Sequence, residues 1–282
     1  VRHNGTNGAY DAKKAHAIAR LRKRMRRFQW SKIEELPALK RFIVAKLKAH
    51  WNPDEIAGYM KRHPRERPGY VSKTAIYQWL RTARGERYCD HLYSRRKRVK
   101  KRKKRARRTL IPNRTGISKR SAGAQNRSRY GHFERDSIVS KKGGSGGIAV
   151  HQDRKSRLLV GRKVTSMRPS EHAEATRAVA AMVAMKSATT DNGIENTHHE
   201  SWGMPTFFCD PYSSWQKGGV ENANKMLRRY FPKGTDFSVV SQTQIDRACA
   251  RINEKPRKIL GYRSARELAE KCGVLLKHEC PN

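Results

Sequence analysis

Apolar side chains recur at helical spacing through LPALKRFIVAKLKAHW, where Leu36, Leu39, Phe42, Ile43 and Leu47 form one stripe of an amphipathic helix. WNPDEIAGYMKRH predicts a second helix: Asn52 can cap it, Pro53 suits its first position, and Asp54 and Glu55 favour the positive end of its dipole. Pro64, Pro68 and Gly69 break the pattern. VSKTAIYQWLRTARG then predicts a third helix, with Ser72 as cap and Ile76, Trp79 and Leu80 on one face. This order fits a helix-turn-helix unit whose last helix offers Lys73, Thr74 and Gln78 to a major groove. A helical bundle that packs and recognises nothing has the same pattern. Ahead of it, Ala and Arg at helix-friendly spacing predict one more helix from Asp11 onward.

The periodicity changes after Tyr130. GHFERDSIVS alternates as a strand, KKGGSGG is a turn, and IAVHQDRKSRLLVGRKVT reads as two strands joined at DRKSR. SEHAEATRAVAAMVAM predicts a helix capped by Ser170, KSATTDNG and TFFCD predict short strands, and GGVENANKMLRRYF opens a further helix. Three strands, a helix, two strands and a helix make an α/β order. Its sheet is mixed, because the first three strands are close enough in sequence to be hairpins. The fold class expected is therefore an α/β core preceded by a small all-α unit.

Charge separates these two parts further. Of the formal net charge of +40 carried by 282 residues, residues 1–130 hold +31, with 39 Lys and Arg against 8 acidic residues. Such an imbalance points to a polyanionic partner, most commonly nucleic acid. Residues 95–108, RRKRVKKRKKRARR, hold twelve Lys or Arg in fourteen positions and cannot fold against their own repulsion. Arg95, Arg96, Lys97, Arg98, Lys100, Lys101 and Arg102 are expected to meet phosphates; a charged tether is the plainer reading. No run of 18 apolar residues is present, which disfavours a membrane home. Cys89, Cys209, Cys249, Cys272 and Cys280 are scattered without a C-x-x-C pair, as reduced thiols of a cytosolic compartment are.

Three carboxylates fall where an α/β sheet assembles sites: Asp136 in the first strand, Asp191 at the end of the fourth, and Glu221 at the start of the next helix. Brought together they would repel unless cations lay between them. Magnesium or manganese suits that role, and two such ions stabilise the attacking and leaving oxygens of a phosphodiester displacement. Each residue also has a structural reading. Asp136 is ordinary strand polarity beside Glu134 and Arg135, Asp191 opens a D-N-G turn, and Glu221 favours a helix N-terminus. Lys217, Lys225, Arg228 and Arg229 flank that helix and are expected to hold backbone phosphates, and Trp215 is a candidate for base stacking or for core packing.

GHFERD, DRKSR, TTDNGIEN, CDPYSSWQKGGVENANKMLRRYFPKGTDFS and INEKPRKILGYRSARE resemble, in order over residues 131–270, the successive signatures of IS30-family insertion-sequence transposases. WNPDEIAGYM and VSKTAIYQWL are similar to that family's second helix-turn-helix. The resemblance implies a ribonuclease-H-like catalytic core, an Asp-Asp-Glu triad at Asp136, Asp191 and Glu221, two divalent ions, and DNA as partner. Its activity would be cleavage of transposon ends and strand transfer into target DNA, by an oligomer acting in the bacterial nucleoid. The domain reading that follows has residues 1–30 after a further upstream helix-turn-helix, 31–92 as a helix-turn-helix domain, 93–130 as a basic linker, 131–270 as the core and 271–282 as a tail. Two positions depart from the family pattern: Arg135 stands where glycine is usual, and Val220 where asparagine precedes the glutamate. A cation beside Asp136 is expected to crowd a metal there or compete with it. The rival reading is a DNA-binding protein without catalysis.

Overall fold

The computed structural model describes residues 5–6, 9–28, 31–93, 111–211 and 213–276. The basic run at 95–108, including Arg95, Arg96, Lys97, Arg98, Lys100, Lys101 and Arg102, and residues 277–282 lie outside the described residues. A two-stranded hairpin, β1 (Gly5–Thr6) and β2 (Ala9–Tyr10), precedes the long helix α1 (Ala12–Phe28).

Helices α2 (Lys32–Glu35), α3 (Pro37–Lys48), α4 (Pro53–Arg62) and α5 (Lys73–Trp79) follow. Their inward stripes bury Ile33, Leu39, Ile43, Leu47, Ile56, Met60, Ile76 and Trp79 in one cluster, so this unit has its own core. The caps act as the sequence predicts. The Asn52 amide donates to Glu55 Oε2 at 2.8 Å, and Ser72 Oγ accepts the Ala75 amide at 3.2 Å. The indole of Trp79 donates to Glu34 at 2.7 Å, which satisfies the polar edge of a buried ring.

The second unit is a five-stranded sheet ordered β5-β4-β3-β6-β7. Strands β3 (His132–Val139), β4 (Gly147–Asp153) and β5 (Leu159–Val164) form an antiparallel meander. Helix α7 (Pro169–Met182) crosses over to β6 (Ser187–Thr190), which runs parallel to β3, and β7 (Thr206–Phe208) continues the parallel part. Helices α8 (Gly218–Leu227) and α9 (Gln242–Asn253) cover one face over Ile148, Val150, Leu159, Val220 and Ile245. On the other face α7 and α10 (Ala265–Lys271) pack on Phe133 and Leu158. The sheet is mixed, as the α/β reading of the core expects. A short antiparallel pair, β8 (Pro256–Arg257) with β9 (Arg263–Ser264), links α9 to α10.

Three local expectations change. Ser170 does not cap α7: Pro169 already occupies its first turn with Arg168 as N-cap, because proline pre-sets the helical φ. Residues 111–129, placed by pattern in a linker, pack on the core instead. They contain the helix α6 (Ala122–Gln125), Ile117 and Ala124 are buried, Gly116 bridges Phe208 at the sheet edge, and Arg120 donates to Thr189. At the other end, Leu275 of the expected tail bridges Val183 and Val274 joins the α7 cluster.

The two units are in contact. His50, with φ of 64°, ends α3, and its carbonyl accepts from Arg229 at 2.8 Å and from Lys255. Arg229 also donates to the His91 carbonyl, and Arg62 pairs with Glu267 at 2.8 Å.

Candidate active site

Strand alternation decides which side chains of β3 meet which helix. Glu134 and Asp136 point toward α8, and Arg135 between them points toward α7. The parallel register pairs Glu134 with Thr189. The pairing ends there, and Asp191, the residue just past the end of β6, lies beside Asp136 with Lys217 between them. Strand β3 and the turn after β6 thus carry two carboxylates to one place.

The ammonium of Lys217 lies between them, 3.3 Å from Asp136 Oδ1 and 3.2 Å from Asp191 Oδ2. Burial alone would lower the affinity of Lys217 for its proton, but Asp136 and Asp191 outweigh it and hold the group above the ordinary lysine value. The remaining oxygens are also held. Asn224 donates to Asp136 Oδ2 at 2.7 Å, and Asn196 donates to Asp191 Oδ1 at 3.0 Å.

Glu221 stands in the first turn of α8. Lys217, Glu221 and Asn224 are spaced four and three apart, so they share one stripe of the helix, the stripe that faces Asp136. Glu221 itself makes no hydrogen bond or ion pair with the described residues, and no group of three or more His, Cys, Asp or Glu is placed to hold a metal ion among them. The three carboxylates therefore share an edge, but only Asp136 and Asp191 converge on one cation. An all-oxygen pair closing on a single buried positive charge is the donor chemistry that a hard divalent ion takes, so these residues fit such an ion.

Glu134 was not singled out by sequence. It is 1% exposed, pairs with Arg154 at 2.6 Å, and accepts the Val220 amide at 2.9 Å. Its carboxylate thus ties the first turn of α8 to β3, one residue from Glu221 and two from Asp136. Gly219 is required beside it, because a Cβ there would lie 2.6 Å from Glu134 Oε2 and 3.0 Å from Arg157. Val220, a departure from the family pattern, is buried in the core beneath α8.

Arg135 does not crowd the carboxylates. It is fully buried on the opposite face, where it donates to Thr176 at 3.2 Å, to Asn196, and to His172 Nδ1 at 2.6 Å. Trp202 covers its guanidinium at 4.9 Å. Asn196, gripped by Arg135, is the residue that holds Asp191, so the arginine acts on the site through a hydrogen-bond relay. Burial lowers the Arg135 pKa to about 10 despite Glu195, Asp191 and Asp136 nearby, and burial with Arg135 beside it pushes His172 down to about 4.

The expected phosphate contacts divide. Lys73, Thr74 and Gln78 are exposed on α5, and Lys225 is exposed on α8. Lys217 is not available to phosphate as arranged, being 4% exposed between two carboxylates. Arg229 is engaged by the helical unit's carbonyls, and Arg228 donates to the carbonyls of Pro232 and Val139, both at 3.3 Å. Trp215 is 74% exposed on the loop before α8, which rules out core packing.

A mixed α/β sheet on which two carboxylates meet at one lysine, beside a helical unit, sets the class. No protein-family model matches the chain. The transposase InsI for insertion sequence element IS30A of Escherichia coli (strain K12) is 33% identical over 262 residues, covering 86% of this chain and 67% of that protein. The transposase for insertion sequence element IS4351 of Bacteroides fragilis is 34% identical over 242 residues, 82% of this chain and 72% of that one. The chain belongs to the IS30 family of insertion-sequence transposases. Among solved structures, the catalytic core domain of BIV integrase is similar at 18% identity and a TM-score of 0.41, over 50% of this chain and 94% of that domain.

Proposed function

We propose that this chain binds the ends of an insertion element and catalyses their cleavage and transfer into target DNA. The observation that carries the reading is the Asp136 and Asp191 pair closing on one cation, with Glu221 on the facing stripe of α8. In this reading Asp136, Asp191 and Glu221 hold two magnesium or manganese ions. When bound, those ions supply the Lewis acid that stabilises the attacking and leaving oxygens at phosphorus.

The chain's own residues do the rest. Asn224 and Asn196 orient the two aspartates, Glu134 fixes the start of α8, and Lys217 leaves the space it now fills. Lys73, Thr74 and Gln78 of α5 face a groove of the end duplex, and the basic run at 95–108 neutralises phosphates without reading sequence. Lys225 adds a backbone contact beside the site, and Trp215 offers an exposed ring for an unpaired base. Paired ends call for an oligomer, and the substrate places the work in the nucleoid. No helix of the described residues is long and apolar enough to cross a membrane.

A DNA-binding protein without catalysis is the second reading, and Lys217 between the carboxylates supports it. A labelled end duplex separates the two. Nicking at the element boundary with magnesium or manganese, and binding without nicking in calcium, is the result expected of the enzyme. Binding with no nicking under any of these ions would leave the second reading.

A further inference from the structure

A cleft of about 660 Å³ lies between the helical unit and the core. Gly218, Asn222, Met226 and Arg229 line it from α8. They form the stripe next to the one carrying Lys217, Glu221 and Asn224, so the cleft and the carboxylates lie on neighbouring faces of one helix.

The cleft is under-neutralised. Six Lys or Arg line it against two acidic residues, Asp54 and Glu55. Those two are already engaged, Glu55 with the Asn52 amide at 2.8 Å and Asp54 with Lys73 at 3.8 Å and Tyr262 at 3.3 Å. Arg157 is only 7% exposed, yet its guanidinium makes no hydrogen bond or ion pair with the described residues. Arg257 Nε is buried without a partner. Lys255, 1% exposed, hydrogen-bonds among the described residues to the His50 carbonyl. Buried charge with too little counter-charge is costly, and all three side chains hold their protons less tightly than usual although Glu55 acts on Lys255 and Arg257 and Glu134 on Arg157. Burial pushes Lys255 down to about 8 and Arg257 to about 10; Glu55 opposes the shift and neighbouring cations add to it. Several convergent anionic groups would relieve this strain together.

Aromatic surface completes the lining. Tyr77 and Tyr93 are 41% and 52% exposed there. Cations that track a backbone, with aromatic rings beside them, are the chemistry of a single-strand site. At this volume the cleft suits a few nucleotides and not a duplex. We propose that it binds a single-stranded stretch of nucleic acid, with phosphates at Arg157, Lys255, Arg257 and Lys258 and bases against Tyr77 and Tyr93. The transposase reading enters only in naming the strand, an unpaired end leaving the carboxylate edge around α8.

The full chain is mixed with a short single-stranded oligothymidylate carrying 5-iododeoxyuridine, irradiated, and the crosslinked residue mapped by mass spectrometry. Crosslinks at Tyr77 or Tyr93 are expected. Their yield should fall about tenfold in Tyr93→Ala and in Lys258→Gln, both at exposed positions, while end-duplex binding stays within about twofold. Crosslinks confined to residues 95–108, or a yield at the tyrosines that Lys258→Gln leaves unchanged, would overturn the proposal. Displacement of the strand by polyglutamate as readily as by unlabelled oligothymidylate would assign the cleft to an acidic peptide instead. Cleavage is assayed on the same preparation. Crosslinking without cleavage rejects the catalytic reading and leaves the cleft, and cleavage without crosslinking rejects the cleft alone.

Discussion

The Lys217 ammonium lies 3.3 Å from the Asp136 carboxylate and 3.2 Å from that of Asp191, so two acids share one buried cation. Lys217→Met leaves those acids facing each other, at a cost below the roughly 3 to 5 kcal/mol of a fully buried pair because solvent screens the half-exposed Asp191. The variant should melt below the parent in chelator. Manganese should raise its melting temperature more than it raises the parent's, since no ammonium competes for the space. Equal shifts in both proteins would show that lysine and metal do not share a position.

Asp136→Asn, Asp191→Asn and Glu221→Gln keep shape and remove charge. Each should abolish cleavage of an end duplex while DNA affinity holds or rises slightly, because a carboxylate no longer repels phosphate. Gel-shift and nicking assays on the same variants read the two effects apart. Wild-type cleavage by all three would reject the triad.

Arg135→Gly introduces the residue that the family resemblance leads one to expect, and the buried guanidinium makes it damaging here. The change removes the donor to Thr176, Asn196 and His172 and leaves a cavity under α7, a loss of at least about 3 kcal/mol. Denaturant melts should show it, with cleavage falling as Asn196 releases Asp191. Higher activity in the variant would mean that the arginine obstructs the site after all.

His172 sets an acid limit. Its folded pKa is pushed down to about 4 from 6.5 by burial and Arg135, so the unfolded chain takes up the proton first as pH falls. Its contribution is whole above pH 6.5 and is lost progressively toward pH 4, by at most about 3 kcal/mol. His172→Gln keeps an acceptor for Arg135 and should flatten the fall in melting temperature over that window. His50, also lowered to about 4 by burial and then Arg229, contributes in the same range, so part of the slope remains.

Much of the architecture is legible in order alone. The meander β3 to β5, the crossover α7 and the strands β6 and β7 follow from period and turn residues, which act locally. The helical unit follows from stripes and caps. Packing on the sheet edge is not local, so residues 111–129 read as linker until Gly116 meets Phe208 and Arg120 meets Thr189.

The candidate site divides in the same way. Sequence by itself determined that Asp136 falls in the first strand of the core, Asp191 at the end of the fourth and Glu221 at a helix start, because those positions follow from element boundaries. It also determined the surplus of positive charge and the nucleic-acid partner that charge implies. Only the tertiary structure decided where the cations go. Alternation sends Arg135 to the face opposite Asp136, the parallel register brings Asp191 beside Asp136 and Lys217 between them, and Glu134 becomes the buried tie to Val220. A basic residue in a sequence shows only its sign. Whether it meets phosphate, carboxylate or a carbonyl depends on which atoms the fold brings within about 3 Å, and that is set by contacts distant in the chain.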